Sequence, residues 1–307
     1  MRNYSEAEKC MLLLFAPLGV ERPLSRRAYQ GIAKAIAALG SGDGGSRRDV
    51  TRRDLERLGA SEEDAGCILD RLEQEDVLEQ YLRKLRGQGI TPLTRVTLEY
   101  PRRLRQVLGS HASMLLYCAG NLRLFETECV SLVGSRQLRM PGWRFAQTLG
   151  RTAALERLTY VSGGAAGADT AGYEGAIENG GRAIVFVADS LEKRMEQERT
   201  ALESGRLLLV SEYGPDQPFS AQRAHSRNRL IHAMGQKTFV AQSDYGSGGT
   251  WNGVLENLKG GWSPVFMCNE EPENLGTRTL IERGCQPIRT VELKRLRELG
   301  GSQMRLF

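Results

Sequence analysis

Three short strings carry the chemistry that this sequence offers: Gly134-Ser135-Arg136, Ser162-Gly163-Gly164-Ala165-Ala166-Gly167-Ala168-Asp169, and Gly246-Ser247-Gly248-Gly249-Thr250. Each follows a short apolar run and precedes a helix-like segment. Glycine lets backbone N–H groups approach a ligand closely, and amides at helix starts favour an anion. Ser162, Ser247 and Thr250 add hydroxyl donors, while Arg136 and Arg182 add countercharge, so the expected ligand group is phosphate. A fourth string, Arg227-Asn228-Arg229, precedes Leu230, Ile231 and Ala233. Two guanidinium groups at a helix start oppose the dipole there, a cost that an anionic partner removes. The alternative is a solvated turn with Asn228 as its cap.

Other chemistries find little support. Neither G-x-G-x-x-G nor G-x-x-x-x-G-K-[ST] occurs, which disfavours a standard NAD site or P-loop ATPase. Asp169 stands where a helix cap belongs, and this role outweighs a general base. No Ser-His-Asp set, paired-carboxylate pattern or reactive cysteine motif assembles. The six cysteines form no C-x-x-C pair, and His225 and His232 have no ligand set beside them, so no metal and no cofactor is expected.

These strings need a scaffold that brings strand ends together. Cys129–Val133, Leu158–Val161, Ala183–Ala188, Leu207–Val210, Lys237–Ala241 and Pro264–Cys268 alternate with helix-like segments from about residue 128 onward. This texture predicts an α/β domain over 128–290 with a largely parallel sheet and helices on both faces. Ligands of such folds bind at the carboxyl ends of the strands. Residues 1–86 read as a small all-helical domain, opened by a capping box at Ser5 and Glu8 and continued by Ser61 with Asp64, around a turn at 40–46. Residues 87–127 connect the two, and 291–307 form a short helix or tail.

The 307 residues carry a net charge of +5, mostly through arginine, which permits a polyanion partner without requiring one. No apolar run is long enough for a bilayer and no leader opens the chain, so a soluble, cytoplasmic protein without membrane contact is expected.

In order along the chain, Glu99-Tyr100-Pro101, Leu116-Tyr117 with Gly120-Asn121, VGSR at Val133 to Arg136, SGGAAGAD at Ser162 to Asp169, GGRAIVFV from Gly180, LLLVSEY ending at Tyr213 and RNRLI at Arg227 to Ile231 resemble the DNA-processing protein A (DprA, or Smf) family. The resemblance covers about residues 98 to 288. It implies a Rossmann-like fold that binds single-stranded DNA without catalysis, protects it, helps load RecA recombinase in natural transformation, and forms homodimers. It also implies that Gly134, Ser135 and Arg136 contact phosphate, that Ser162, Gly163, Gly164 and Gly167 cradle it, and that Arg182, Arg227 and Arg229 flank the same groove. Tyr213, Tyr245 and Trp251 are the candidates for base stacking.

The sequence departs from the pattern in places. Tyr173 replaces a histidine, an aspartate-tyrosine-proline stretch is hardly visible in Asp189 to Glu198, and Asn269-Glu270 replaces a proline-glycine. The winged-helix module of many members is not expected in the about 20 residues after Pro287. The rival reading is a nucleotide sensor or an enzyme similar to the cytokinin-activating phosphoribohydrolases. Their P-G-G-x-G-T-x-x-E loop is matched only in part: Gly253 stands at the glutamate position and Glu256 lies three residues on.

Overall fold

A computed structural model describes residues 2–19, 50–57 and 59–300. The expected turn at 40–46 lies outside the described residues. Two compact units divide the chain: residues 1–100 with 113–117, and residues 101–112 with 118–307. The segment 87–127 is shared between them.

In the first unit, α1 (Glu6–Phe15) starts where Ser5 Oγ accepts from the Glu8 amide and the Glu8 carboxylate accepts from Ser5 N–H, the reciprocal cap its spacing predicts. Cys10 to Leu14 are buried, and the buried Arg71 guanidinium donates to the Leu13 and Ala16 carbonyls that the helix end leaves open. Arg71 belongs to α3 (Glu62–Leu72), which follows α2 (Arg52–Arg57) and is capped by Ser61. α4 (Glu75–Gly87) and β1 (Thr91–Thr94) complete the sequence of elements before Tyr100.

In the second unit, α5 (Arg102–Leu108) and the end of β2 (Leu115–Gly120) lead into β3 (Cys129–Val133), α6 (Met140–Leu155), β4 (Thr159–Ser162), α7 (Ala168–Ile177) and β5 (Arg182–Val187). There follow α8 (Leu191–Gln197), α9 (Arg199–Glu203), β6 (Leu207–Ser211), α10 (Ala221–Met234), β7 (Lys237–Val240), α11 (Gly248–Gly260), β8 (Val265–Cys268), α12 (Leu275–Glu282) and β9 (Gln286–Ile288). The strand order β6-β5-β4-β3-β7-β8-β9 is parallel throughout, and β3, β4 and β6 are buried along their whole length, as their apolar runs predict. The fold is the α/β, Rossmann-like arrangement expected, and β9 is a strand its short run Gln286-Pro287-Ile288 did not announce.

After β9 the chain turns through Thr290–Glu292 and is held at the amino ends of the central strands. Lys237 Nζ donates to the Leu296 and Arg297 carbonyls, and the Glu156 carboxylate accepts from the amides of the same two residues. Among the described residues no helix is long and apolar enough to cross a membrane, and no group of His, Cys, Asp and Glu is arranged to hold a metal ion.

Candidate nucleic-acid interface

β3 pairs with β4 on one edge and with β7 on the other, so the chain reverses its direction of winding at β3. A crevice opens at such a point beyond the carboxyl ends of the strands. Here it is a cavity of about 660 Å³. Gly134, Ser135 and Arg136 line it from the loop after β3, Asp169 from α7, Arg227 and Asn228 from α10, and Ser247, Gly248, Gly249 and Thr250 from the start of α11. Ten of the residues singled out in the sequence therefore share one space.

The α11 start is open to that space. No side chain caps the first-turn amides, although Ser247 occupies the cap position, so the positive end of a 13-residue helix faces the cavity without an internal partner at its cap. Asn228 holds this end in place by donating its side-chain amide to Gly249 O at 3.1 Å.

Arg227 is the central cation. It is 6% exposed, its Nε is buried without a hydrogen-bond partner, and among the described residues its guanidinium forms no ion pair within 4.0 Å. Burial pushes the group down from its ordinary value, while Asp169 and Asp189 act in the opposite direction. Asp169 is 7% exposed, and burial pushes its carboxyl up against the pull of Arg227 and of the Ala165 and Gly163 amides. A buried guanidinium with open donors gains most from an anion that enters its cavity.

Arg136 lies at the mouth with its guanidinium 5.3 Å from the ring centroid of Phe219, and Phe219 is 51% exposed. The sequence reading missed Phe219. Its signal was an aromatic residue isolated in the polar loop Gly214 to Ser226, directly before Arg227. Of the three aromatics proposed for stacking, Trp251 is buried with Tyr245 packed on its edge at 5.3 Å and Arg283 over its ring, and Tyr213 lies under Arg223. Tyr245 is exposed.

Several candidates occupy other roles. The amides of the glycine string are spent inside the loop: Gly163 N and Ala165 N both donate to Asp169 Oδ2 at 3.1 Å, and Gly164 N donates to the buried Ser162 Oγ at 3.4 Å. Asp169 thus braces this loop instead of capping α7, whose cap position is Gly167 with no side-chain bond. Gly167 has a φ of 82°, and a Cβ there would lie 2.4 Å from Ser135 O, so its role is to let two loops touch.

Arg182 is not in the cavity. It opens β5 and donates to Arg157 O, roughly 17 Å from the carboxyl end of that strand at about 3.3 Å per residue. Arg229 is also elsewhere. α10 begins at Ala221, so Arg227 and Arg229 lie in mid-helix and not at its start. Residues two apart project from different faces. Arg229 accordingly pairs with Glu212 and bonds to Ser226, with both charged side chains no more than 10% exposed. Glu256, the carboxylate of the rival reading, lies 3.2 Å from Nε2 of His225, and of the two it is His225 that lines the cavity. His232 is fully buried against Asn257 at 3.0 Å.

Known proteins share this architecture. The DNA processing protein DprA of Streptococcus pneumoniae is 31% identical over 152 residues, covering 48% of this chain and 53% of that protein. The Smf protein of Escherichia coli is 27% identical over 137 residues, 43% of this chain and 37% of its own. The chain thus spans about half or less of the length of these curated relatives. The crystal structure of the pneumococcal protein superposes with a TM-score of 0.73 at 22% identity, over 97% of this chain and 99% of the other. DNA processing protein A of Helicobacter pylori, solved for its single-stranded DNA binding mode, superposes with a TM-score of 0.55 at 26% identity, over 65% and 90%. Residues 91–296, the greater part of the sequence, match the model of the DNA recombination-mediator protein A family, and the chain belongs to that family.

Proposed function

We propose that this protein binds single-stranded DNA in the cavity at the carboxyl ends of β3, β4 and β7, and does so without cleaving it. The observation that carries the reading is Arg227, a buried guanidinium with open donors, facing a cavity into which the uncapped start of α11 also opens. A backbone phosphate matches both. Arg136 at the mouth adds a second cation, and the exposed ring of Phe219 offers a flat surface to an unstacked base, which a paired and stacked base in a duplex does not present. The single-stranded DNA binding of the Helicobacter relative supports the same ligand class.

Protection of the strand, delivery to a RecA-type recombinase in transformation or recombination, homodimer formation and a cytoplasmic setting are further parts of this proposal, and membership of the recombination-mediator family supports them. The rival enzymatic reading relies on Glu256, and that carboxylate is engaged with His225.

Fluorescence anisotropy with labelled oligo-dT and a matched duplex tests the reading. Salt-sensitive preference for the single strand is the expected result. Equal or absent binding by folded protein refutes it, and release of free base from a nucleoside monophosphate at a catalytic rate establishes the rival.

A further inference from the structure

The stretch Asp189 to Glu198, where the family pattern fades, contains a brace for the glycine loop. Arg194 in α8 donates from Nη2 to Gly164 O at 2.9 Å and pairs with Asp189 at 3.5 Å. Asp189 lies two residues beyond the end of β5, so the Arg194 guanidinium ties the loop after β4 to the loop after the strand beside it. The base of this arm is itself fixed. Ser190 Oγ, at the cap of α8, donates to Pro215 O at 3.2 Å, and Glu192 N donates to the same carbonyl at 3.3 Å.

Arg227 and Arg194 therefore engage successive residues of one loop. Arg227 lies against Gly163, and Arg194 holds the carbonyl of Gly164. The Gly163 and Ala165 amides turn inward to Asp169, and the far end of the loop is tied to its neighbour where Ala168 N donates to Ser135 O at 3.2 Å, so the Gly164 carbonyl is the point that Arg194 holds. We infer that Arg194, held by Asp189, is a positioning residue for the DNA site: it fixes the Gly163-Gly164 backbone against which the Arg227 guanidinium is seated, without itself touching phosphate. This deepens the proposed function and rests on it for the ligand.

The test joins two measurements on the full chain. Arg194→Ala is expected to raise the Kd for oligo-dT about tenfold while leaving the slope of log affinity against log salt at the wild-type value. Arg227→Ala, which removes a phosphate contact, is expected to reduce that slope by about 0.7. Hydrogen exchange of the 162–167 segment, without DNA, is expected to quicken in Arg194→Ala. Wild-type affinity in Arg194→Ala overturns the inference, and so does a slope reduced as in Arg227→Ala, because Arg194 is then a direct phosphate ligand. If the wild-type protein fails to bind oligo-dT, the ligand assignment falls; the exchange measurement still decides the brace, and unchanged exchange refutes it.

Discussion

A Cβ atom on Gly163 would lie 1.2 Å from Arg227 Nη1 and 2.3 Å from its Cζ. The guanidinium occupies the place of a side chain at position 163, so the glycine is a seat for the arginine before it is a donor to phosphate. Gly163→Ala is expected to displace Arg227, weakening oligo-dT binding at least about tenfold and costing about 1–3 kcal/mol of stability by overpacking. A double-mutant cycle checks the cause. Gly163→Ala should add almost nothing to the binding loss of Arg227→Ala.

Arg136 and Arg229 should separate cleanly. Arg136→Ala removes an exposed cation at the cavity mouth, so it should weaken oligo-dT binding and reduce the salt slope by about 0.7 with an unchanged melting temperature. Arg229→Ala strips the buried Glu212 carboxylate of its guanidinium, and urea titration should show a loss of about 3 kcal/mol. A stable Arg229→Ala variant with a reduced salt slope would return Arg229 to the groove.

Phe219→Ala tests the flat surface at the mouth. Loss of one stacked base corresponds to about 1–3 kcal/mol, so binding of oligo-dT should fall by about tenfold or more with the salt slope intact. An abasic oligomer of the same length should bind wild type and variant alike.

His232 sets a pH dependence of stability. Burial lowers its pKa from 6.5 to about 3, so below pH 6.5 the unfolded chain takes up a proton that the folded ring refuses. Its contribution is fully present above pH 6.5 and is lost as pH falls towards 3, by roughly 1.4 kcal/mol per pH unit. Urea unfolding between pH 7 and 4 should show this slope, and His232→Gln should make it shallower by one proton.

Much of the scaffold was legible because it depends on local requirements. The buried runs at Cys129–Val133 and Leu207–Val210 read as strands, and Ser5 with Glu8 read as a helix start. The glycine strings marked the right strand ends because close backbone approach demands glycine wherever it occurs. What escaped depends on direction and on distant partners. Arg182 follows a glycine pair but stands at the amino end of its strand, and Arg229 shares a tripeptide with Arg227 while facing elsewhere. That Asp169 consumes the Gly163 and Ala165 amides is fixed only when the loop closes, and no spacing rule reports it.

The position of β3 between β4 and β7 bears on how the chain is made. When β3 emerges during synthesis, β4 follows soon, but the residues that cover the other edge, Lys237 to Val240, arrive roughly a hundred residues later, about 5–20 s at ordinary translation rates. Until then the nascent chain displays an unpaired buried-type strand, the kind of surface that seeds misassembly. The crevice straddles this late seam, so a ribosome-bound fragment ending before residue 237 has no pocket to offer, and ligand cannot assist folding until the seventh strand closes.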